Sequence, residues 1–274
     1  TYIYDIFSKK LTEVAPFTVD LLLPSGAENL NYVLYTDESP YKMQREWLDR
    51  LPFDIYSVNV HTGAKRLIGR SYRTAPKWSV NGKWAVMYDP IAQVWNKFDG
   101  ATGKVVNISD AIGYPMFVES YDKPAPAPAY GIAGWTADGN NVFLYDAYDW
   151  WKIDLTGERQ PECLTKGYGR KHGKSIRKMT SNIDKDVFQK DEKVIVSLWD
   201  KDTMDEGVYQ LDMKGRLRKL MEGNYVYTIH RFSDNHEYCV WNRQNVSEFR
   251  DLWWSKSDFS NSVKVTNANP QQAD

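Results

Sequence analysis

An all-β chain, a β-propeller built of four-stranded antiparallel blades, is what three observations in the sequence predict. A short motif recurs in which an aromatic residue leads into a polar turn ending in Gly and then an apolar run closing on Tyr-Asp. Each copy is followed by a second hairpin of a different type, with a Thr-Gly or Lys-Gly turn and a more polar return strand. The two-hairpin unit returns about every 50 residues, the period of propeller blades, whereas a β-sandwich shows no fixed period.

The best-formed copies of the motif are Trp78-Ser79-Val80-Asn81-Gly82, running into Trp84-Ala85-Val86-Met87-Tyr88-Asp89, and Trp135-Thr136-Ala137-Asp138-Gly139, running into Val142-Phe143-Leu144-Tyr145-Asp146. Asn-Gly and Asp-Gly supply the positive φ of a tight turn between strands rich in aromatic and β-branched residues. Phe232 to Trp241 is a third copy, with Asn235 or His236 in the glycine's place, and Pro24-Ser25-Gly26 ahead of Tyr32–Asp37 is a looser fourth. The following hairpins turn at Thr62-Gly63, Thr102-Gly103, Thr156-Gly157 and Lys214-Gly215, and the last joins Leu252–Ser255 to Val263–Val265. The units therefore run over 19–72, 73–110, 130–166, 178–222 and 228–267.

Residues 1–18 carry only an outer hairpin, Tyr2–Phe7 with Lys10–Val14. The expectation is a half-blade: the chain begins mid-blade, excised from a longer protein, and its unpaired edge is a surface for self-association. With no initiator Met, basic segment or apolar leader at the start, no targeting signal is visible. The propeller is expected over 1–267, with 268–274 opening a linker.

Two insertions interrupt the pattern. In Glu38–Leu51, Pro40 suits a first helical turn and Met43, Trp47, Leu48 and Leu51 share a face, so a short amphipathic helix is expected. The basic stretch Lys166–Lys178 ends in Gly173-Lys174-Ser175, but Tyr168 stands where a P-loop needs Gly and no βαβ unit surrounds it. A solvated inter-blade connection is the main reading, and an anion patch the lesser one.

Composition and motifs exclude several functions. With 35 Lys+Arg against 36 Asp+Glu the net charge is −1, so no nucleic-acid partner is implied, and no apolar run is long enough to span a membrane. Cys163 and Cys239 sit in unrelated contexts and read as free thiols. Asp200–Gly207 resembles a calcium loop for three residues and then fails at Met204, which leaves a hairpin tip. His61, His172, His230 and His236 show no ligand spacing, so neither a metal nor a cofactor is expected. No G-x-S-x-G elbow occurs, and no catalytic residue is assigned to this chain. Clustered carboxylates of a polysaccharide-active site are likewise missing.

These hairpins, together with Pro124–Trp135 and Leu144-Tyr145-Asp146-Ala147-Tyr148-Asp149-Trp150-Trp151-Lys152-Ile153-Asp154, resemble the propeller of the prolyl oligopeptidase family of serine peptidases. That family includes the dipeptidyl peptidases, and the likeness is to its secreted Bacteroidetes-type members. The resemblance implies a non-catalytic propeller that gates access to a C-terminal α/β-hydrolase domain beyond Asp274, takes peptide substrates, and works in the periplasm or outside the cell. The paired glutamates by which dipeptidyl peptidases hold a substrate's amino terminus have no counterpart here, so no binding residue is carried over. Trp47, Tyr148 and Trp150 stand as candidate cavity-lining groups, because large rings give contact area at low entropy cost; packing between blades is the competing role. A TolB-like propeller scaffold for protein partners, with no enzyme attached, is the alternative.

Overall fold

A computed structural model describes residues 1–17, 19, 21–25, 31–48, 50–183 and 186–273. The predicted turn at Gly26 lies outside them. The chain divides into two compact units, one formed by 1–130, 135–142 and 153–161, the other by 131–134, 143–152 and 162–274.

Strands β1 (Tyr2–Asp5) and β2 (Lys10–Glu13) make a two-stranded ribbon. The first blade is β3 (Leu21–Leu23), β4 (Tyr32–Asp37), β5 (Phe53–Asn59) and β6 (Lys65–Tyr72), hydrogen-bonded in chain order. The second is β7 (Lys77–Trp78), β8 (Trp84–Asp89), β9 (Val94–Asp99) and β10 (Val105–Asn107). The third is β11 (Ile132–Thr136), β12 (Asn141–Tyr145), β13 (Trp150–Asp154) and β14 (Glu162–Cys163). After the single helical turn α1 (Tyr168–Lys171) comes β15 (Lys174–Lys178). β16 (Val187–Phe188) then adds a fifth strand to the third sheet, beside β11. The fourth blade is β15 with β17 (Lys193–Asp200), β18 (Glu206–Asp212) and β19 (Leu217–Gly223). The fifth is β20 (Val226–Phe232), β21 (Tyr238–Gln244), β22 (Asp251–Lys256) and β23 (Val263–Lys264).

Among the described residues, four four-stranded antiparallel sheets, a fifth that β16 extends to five strands, and a ribbon are thus the architecture that the repeat predicts. In chain order the ribbon precedes the first blade as β5 and β6 precede β7. Its turn is also of the blade type. The Asp5 carboxylate accepts the N–H groups of Phe7 and Ser8, as Asp99 accepts those of Ala101 and Thr102. Lys9 takes the left-handed φ of 52° that Gly103 takes at 69°.

Two expectations are corrected. The segment 39–51 is not an amphipathic helix: a 3-10 helix covers only Ser39–Gln44, and Met43 and Trp47 are 85% and 74% exposed, leaving Leu51 as the buried anchor. The segment 166–178 is not wholly a solvated connection either, because its last five residues are the first strand of the fourth blade, with Ser175 and Ile176 buried.

In the first unit a core of Leu34, Phe53, Ile55 and Tyr72 from the first blade meets Ala85, Met87 and Phe98 from the second. The Trp78 indole N–H crosses between these blades to the Leu23 carbonyl at 2.9 Å. In the second unit Val208 of the fourth blade packs with Tyr227, Ile229, Phe232 and Trp241 of the fifth. Asn182 ties down the strand end at Phe232, accepting its N–H at 2.7 Å and donating to its carbonyl at 3.0 Å.

Phe98 is fully buried and bordered edge-on by Tyr32 and Trp78. Phe98→Ala is expected to cost about 3–5 kcal/mol in urea unfolding, since the space between two sheets cannot collapse. Asp251, buried at the start of β22, accepts from Thr266 Oγ1 at 2.7 Å, the Ala268 N–H at 2.8 Å and the Lys264 ammonium at 2.8 Å. The Lys264 bond, with the other two, pulls its carboxyl down to about 2. A carboxyl depressed in the folded state stabilises above its unfolded value near 4, and that contribution is lost as pH falls through the folded value. The 263–268 tail is therefore expected to stay docked at pH 5 and to come free between pH 4 and 2, read from the amide resonances of Val265 and Ala268.

Candidate functional site

The most heavily organised loop is the β12–β13 connection, Asp146-Ala147-Tyr148-Asp149. It carries Tyr148, one of the three aromatics singled out in the sequence, and leads directly into a second, Trp150, the first residue of β13. Strand β12 ends on buried Tyr145, and the chain must reverse within four residues before Trp150 enters the core. Asp146 makes the reversal by accepting the N–H groups of Tyr148 at 2.7 Å and Asp149 at 2.6 Å on Oδ1. Its Oδ2 takes the Trp151 indole N–H at 3.1 Å and the Arg170 guanidinium at 3.0 Å. Asp149 reaches toward α1: Oδ1 accepts from Thr165 Oγ1 at 2.6 Å and Gly169 N–H at 2.9 Å, and Oδ2 from Arg170 N–H at 2.9 Å.

The carbonyls of the loop are met by β15. Ser175 Oγ donates to the Ala147 carbonyl at 3.0 Å, Ile176 N–H to Tyr148 at 2.8 Å, and Arg177 Nη2 to Asp146 at 2.7 Å. Gly169 is required where α1 meets the loop, since a Cβ there would lie 2.6 Å from the Tyr148 carbonyl and 2.7 Å from that of Lys174. Both aspartates are buried, yet every contact named satisfies an acceptor, as a buried carboxylate demands. The Asp146 carboxylate is paired with the Arg170 guanidinium, while Asp149 is satisfied by a hydroxyl and two backbone N–H groups.

Trp150 is fully buried, its ring against Phe143, Tyr145 and Phe188 and its indole N–H donating to the Ile176 carbonyl at 3.2 Å. Tyr148 is half-buried at the surface of the loop, with the Lys201 ammonium 4.2 Å and the Arg170 guanidinium 5.0 Å from its ring centroid. Trp47 belongs to the other unit and stands exposed past the 3-10 helix. Tyr148 and Trp150 therefore share one turn, and Trp47 is not part of it.

Sequence reasoning missed Asp146, Asp149, Arg170 and Arg177. The signal available was two aspartates flanking a tight turn, followed some twenty residues on by a run of cations. Arg170 and Arg177 of that run are used internally, on Asp146 and on the carbonyls of the loop. Near them Lys174 and Glu222 form a 2.6 Å pair, whose mutual hydrogen bond holds the ammonium up and the carboxyl down in pKa. Cys163 and Cys239 are free, the first half-buried and the second buried, and burial raises both thiols. Among the described residues no group of three His, Cys, Asp or Glu side chains is placed to hold a metal ion. The loop holds an aromatic ring beside cations. Asp149→Asn should destabilise by about 1–3 kcal/mol, because a carboxamide must turn a donor toward Gly169 or Arg170 N–H; urea unfolding and the Gly169 amide exchange rate measure it.

No protein-family model matches the chain, and no curated protein sequence matches it. Solved structures do. Dipeptidyl peptidase 4 of Porphyromonas gingivalis superposes with a TM-score of 0.53 at 12% identity, over 99% of this chain and 44% of that one. A prolyl endopeptidase gives 0.48 at 11% identity, over 92% of this chain and 37% of that one. TolB of Acinetobacter baumannii gives 0.40 at 15%, over 94% and 57%. The chain therefore spans between 37% and 57% of the length of these neighbours. At such identities the likeness is one of fold: the chain is a β-propeller of four-stranded blades, similar to the propeller domain of that dipeptidyl peptidase.

Proposed function

We propose that this chain is the non-catalytic propeller of a prolyl-oligopeptidase-like serine peptidase, gating access to a hydrolase domain and contributing to peptide binding. The observation that carries the reading is the fold match to the P. gingivalis dipeptidyl peptidase 4, which takes in 99% of this chain and leaves more than half of that one outside it. The loop of Tyr145–Trp151 supports it, since the stretch that resembles the peptidase family is also the most rigidly built turn here.

In this reading residues 1–267 are the propeller and 268–274 lead into a C-terminal α/β-hydrolase domain that supplies the nucleophile. The parent acts in the periplasm or outside the cell; among the described residues, no helix is long and apolar enough to cross a membrane. Tyr148 is the ring that the β12–β13 loop offers to peptide, Trp150 positions it from within the core, and Trp47 is a separate exposed candidate. The edge of β1, which carries no further strand among the described residues, takes up another strand pair, from the parent chain or from a second copy.

The test uses the parent protein from its natural start to its natural stop, beside residues 1–274. A fluorophosphonate probe is expected to label the parent and not the shorter chain, and the parent alone is expected to cleave proline-containing peptides. Tyr148→Ala in the parent should cost about 1 kcal/mol of peptide binding, read as a several-fold rise in KM. A parent that takes no label and cleaves nothing would overturn the peptidase reading and leave a binding propeller.

A further inference from the structure

Lys97 occupies an unusual place for a lysine. It lies inside β9 of the second blade, between buried Trp95 and Asp99 on one face of the strand, and is only 9% exposed. Its ammonium donates to the Leu155 carbonyl at 2.5 Å, and no second hydrogen bond or ion pair is made to it among the described residues. An ammonium has three donors. A buried cation with one neutral acceptor and no counter-charge is costly to keep, which is why buried charges are normally paired.

The same lysine lines a cavity of about 300 Å³ between the end of the second blade and the β13–β14 turn of the third. Gly157 marks how close the ammonium is to the wall: a Cβ there would lie 3.8 Å from Lys97 Nζ. The other polar side chains of the wall are a guanidinium, two carboxamides and two carboxylates. Asn107 spends Oδ1 on the N–H groups of Ser109 and Asp110, which leaves its amide N–H groups uncommitted. Arg159 and Gln160 add a guanidinium and a second carboxamide at the mouth. Of the two carboxylates present, Asp154 is tied up by Thr156 on Oδ1 and by the N–H groups of Glu158 and Arg159 on Oδ2, and Asp110 is exposed.

We propose that this cavity binds a small oxyanion, with Lys97 as its buried counter-charge and Asn107 and Arg159 as further donors. A group with two or more acceptor oxygens fits this set, whether it comes as a free phosphate or as a carboxylate, and a planar carboxylate or a tetrahedral anion can bridge Lys97 and Arg159. The site is independent of peptide binding at the β12–β13 loop, so it stands or falls separately from the peptidase reading.

The experiment titrates the 274-residue chain with inorganic phosphate and, in a second arm, with acetate, at ionic strength held constant with sodium chloride. Thermal midpoint and the Leu155 and Gly157 amide resonances are followed. Saturable stabilisation at millimolar anion is expected, with those two amides shifting. Lys97→Met, which keeps the unbranched stem but drops the terminal ammonium and its charge, should weaken binding at least tenfold, and Arg159→Gln, at an exposed position, several-fold. Response to phosphate alone assigns a tetrahedral anion; response to both assigns carboxylates as well. If Lys97→Met does not fold, the amide shifts and Arg159→Gln carry the test alone. The proposal is overturned if Lys97→Met responds like the wild type, if sodium chloride alone reproduces the effect, or if the Leu155 and Gly157 amides do not move.

Discussion

A four-stranded sheet has two faces and no interior, and the rest of this structure follows from that constraint. No single blade can bury its own apolar residues, so each must lend a face to the next. In the first unit Leu34 and Ile55 have no core until Met87 and Phe98 arrive from the following blade. Val208 stands in the same relation to Ile229 and Trp241 in the second unit. Stability therefore resides between sheets, and the hydrogen-bonded ladders mainly set the spacing at which the faces meet.

Since the faces are apolar, orientation is fixed by a few polar ties at their margins. The Trp78 indole on the Leu23 carbonyl and Asn182 on both backbone groups of Phe232 each use a side chain to satisfy main-chain atoms of another segment. The Asp146–Asp149 loop carries this furthest: two carboxylates and two arginines arrange the backbone of one turn, one helical turn and one strand. Such a network is stabilising only while complete, because each missing partner strands a buried charge.

The hairpins were legible because their turns demand particular residues. Gly82, Gly103 and Gly139 all adopt positive φ, as Asn-Gly, Thr-Gly and Asp-Gly pairs announce. Where a non-glycine residue holds the same conformation, at Lys9, Met204 or His236, the strands on either side carried the signal instead. Strand β15 was missed for a physical reason: Lys174-Ser175-Ile176-Arg177-Lys178 buries a serine and an isoleucine side by side, so no alternation of apolar and polar residues betrays it. The helical pattern of Glu38–Leu51 failed in the opposite sense, since a shared face means little unless something packs on it, and Met43 and Trp47 lie mostly in solvent. Tyr148 and Trp150 were visible as aromatics, but which faces outward and which inward depends on Asp146, whose burial no local pattern reports.

Repeat proteins are often treated as modules that can be shortened or exchanged blade by blade. That holds where the chain passes cleanly from one sheet to the next, as from β10 to β11 or from β19 to β20. It fails at β16. Val187 and Phe188 lie in sequence between the first and second strands of the fourth blade, yet they complete the edge of the third. Gly134 of β11 admits them at close range, for a Cβ there would meet Phe188 at 2.6 Å. The third and fourth blades are thus stitched into one indivisible pair. During synthesis the third sheet stays short of its edge strand until the ribosome has passed residue 188, and any shuffling of this propeller must carry the two blades together.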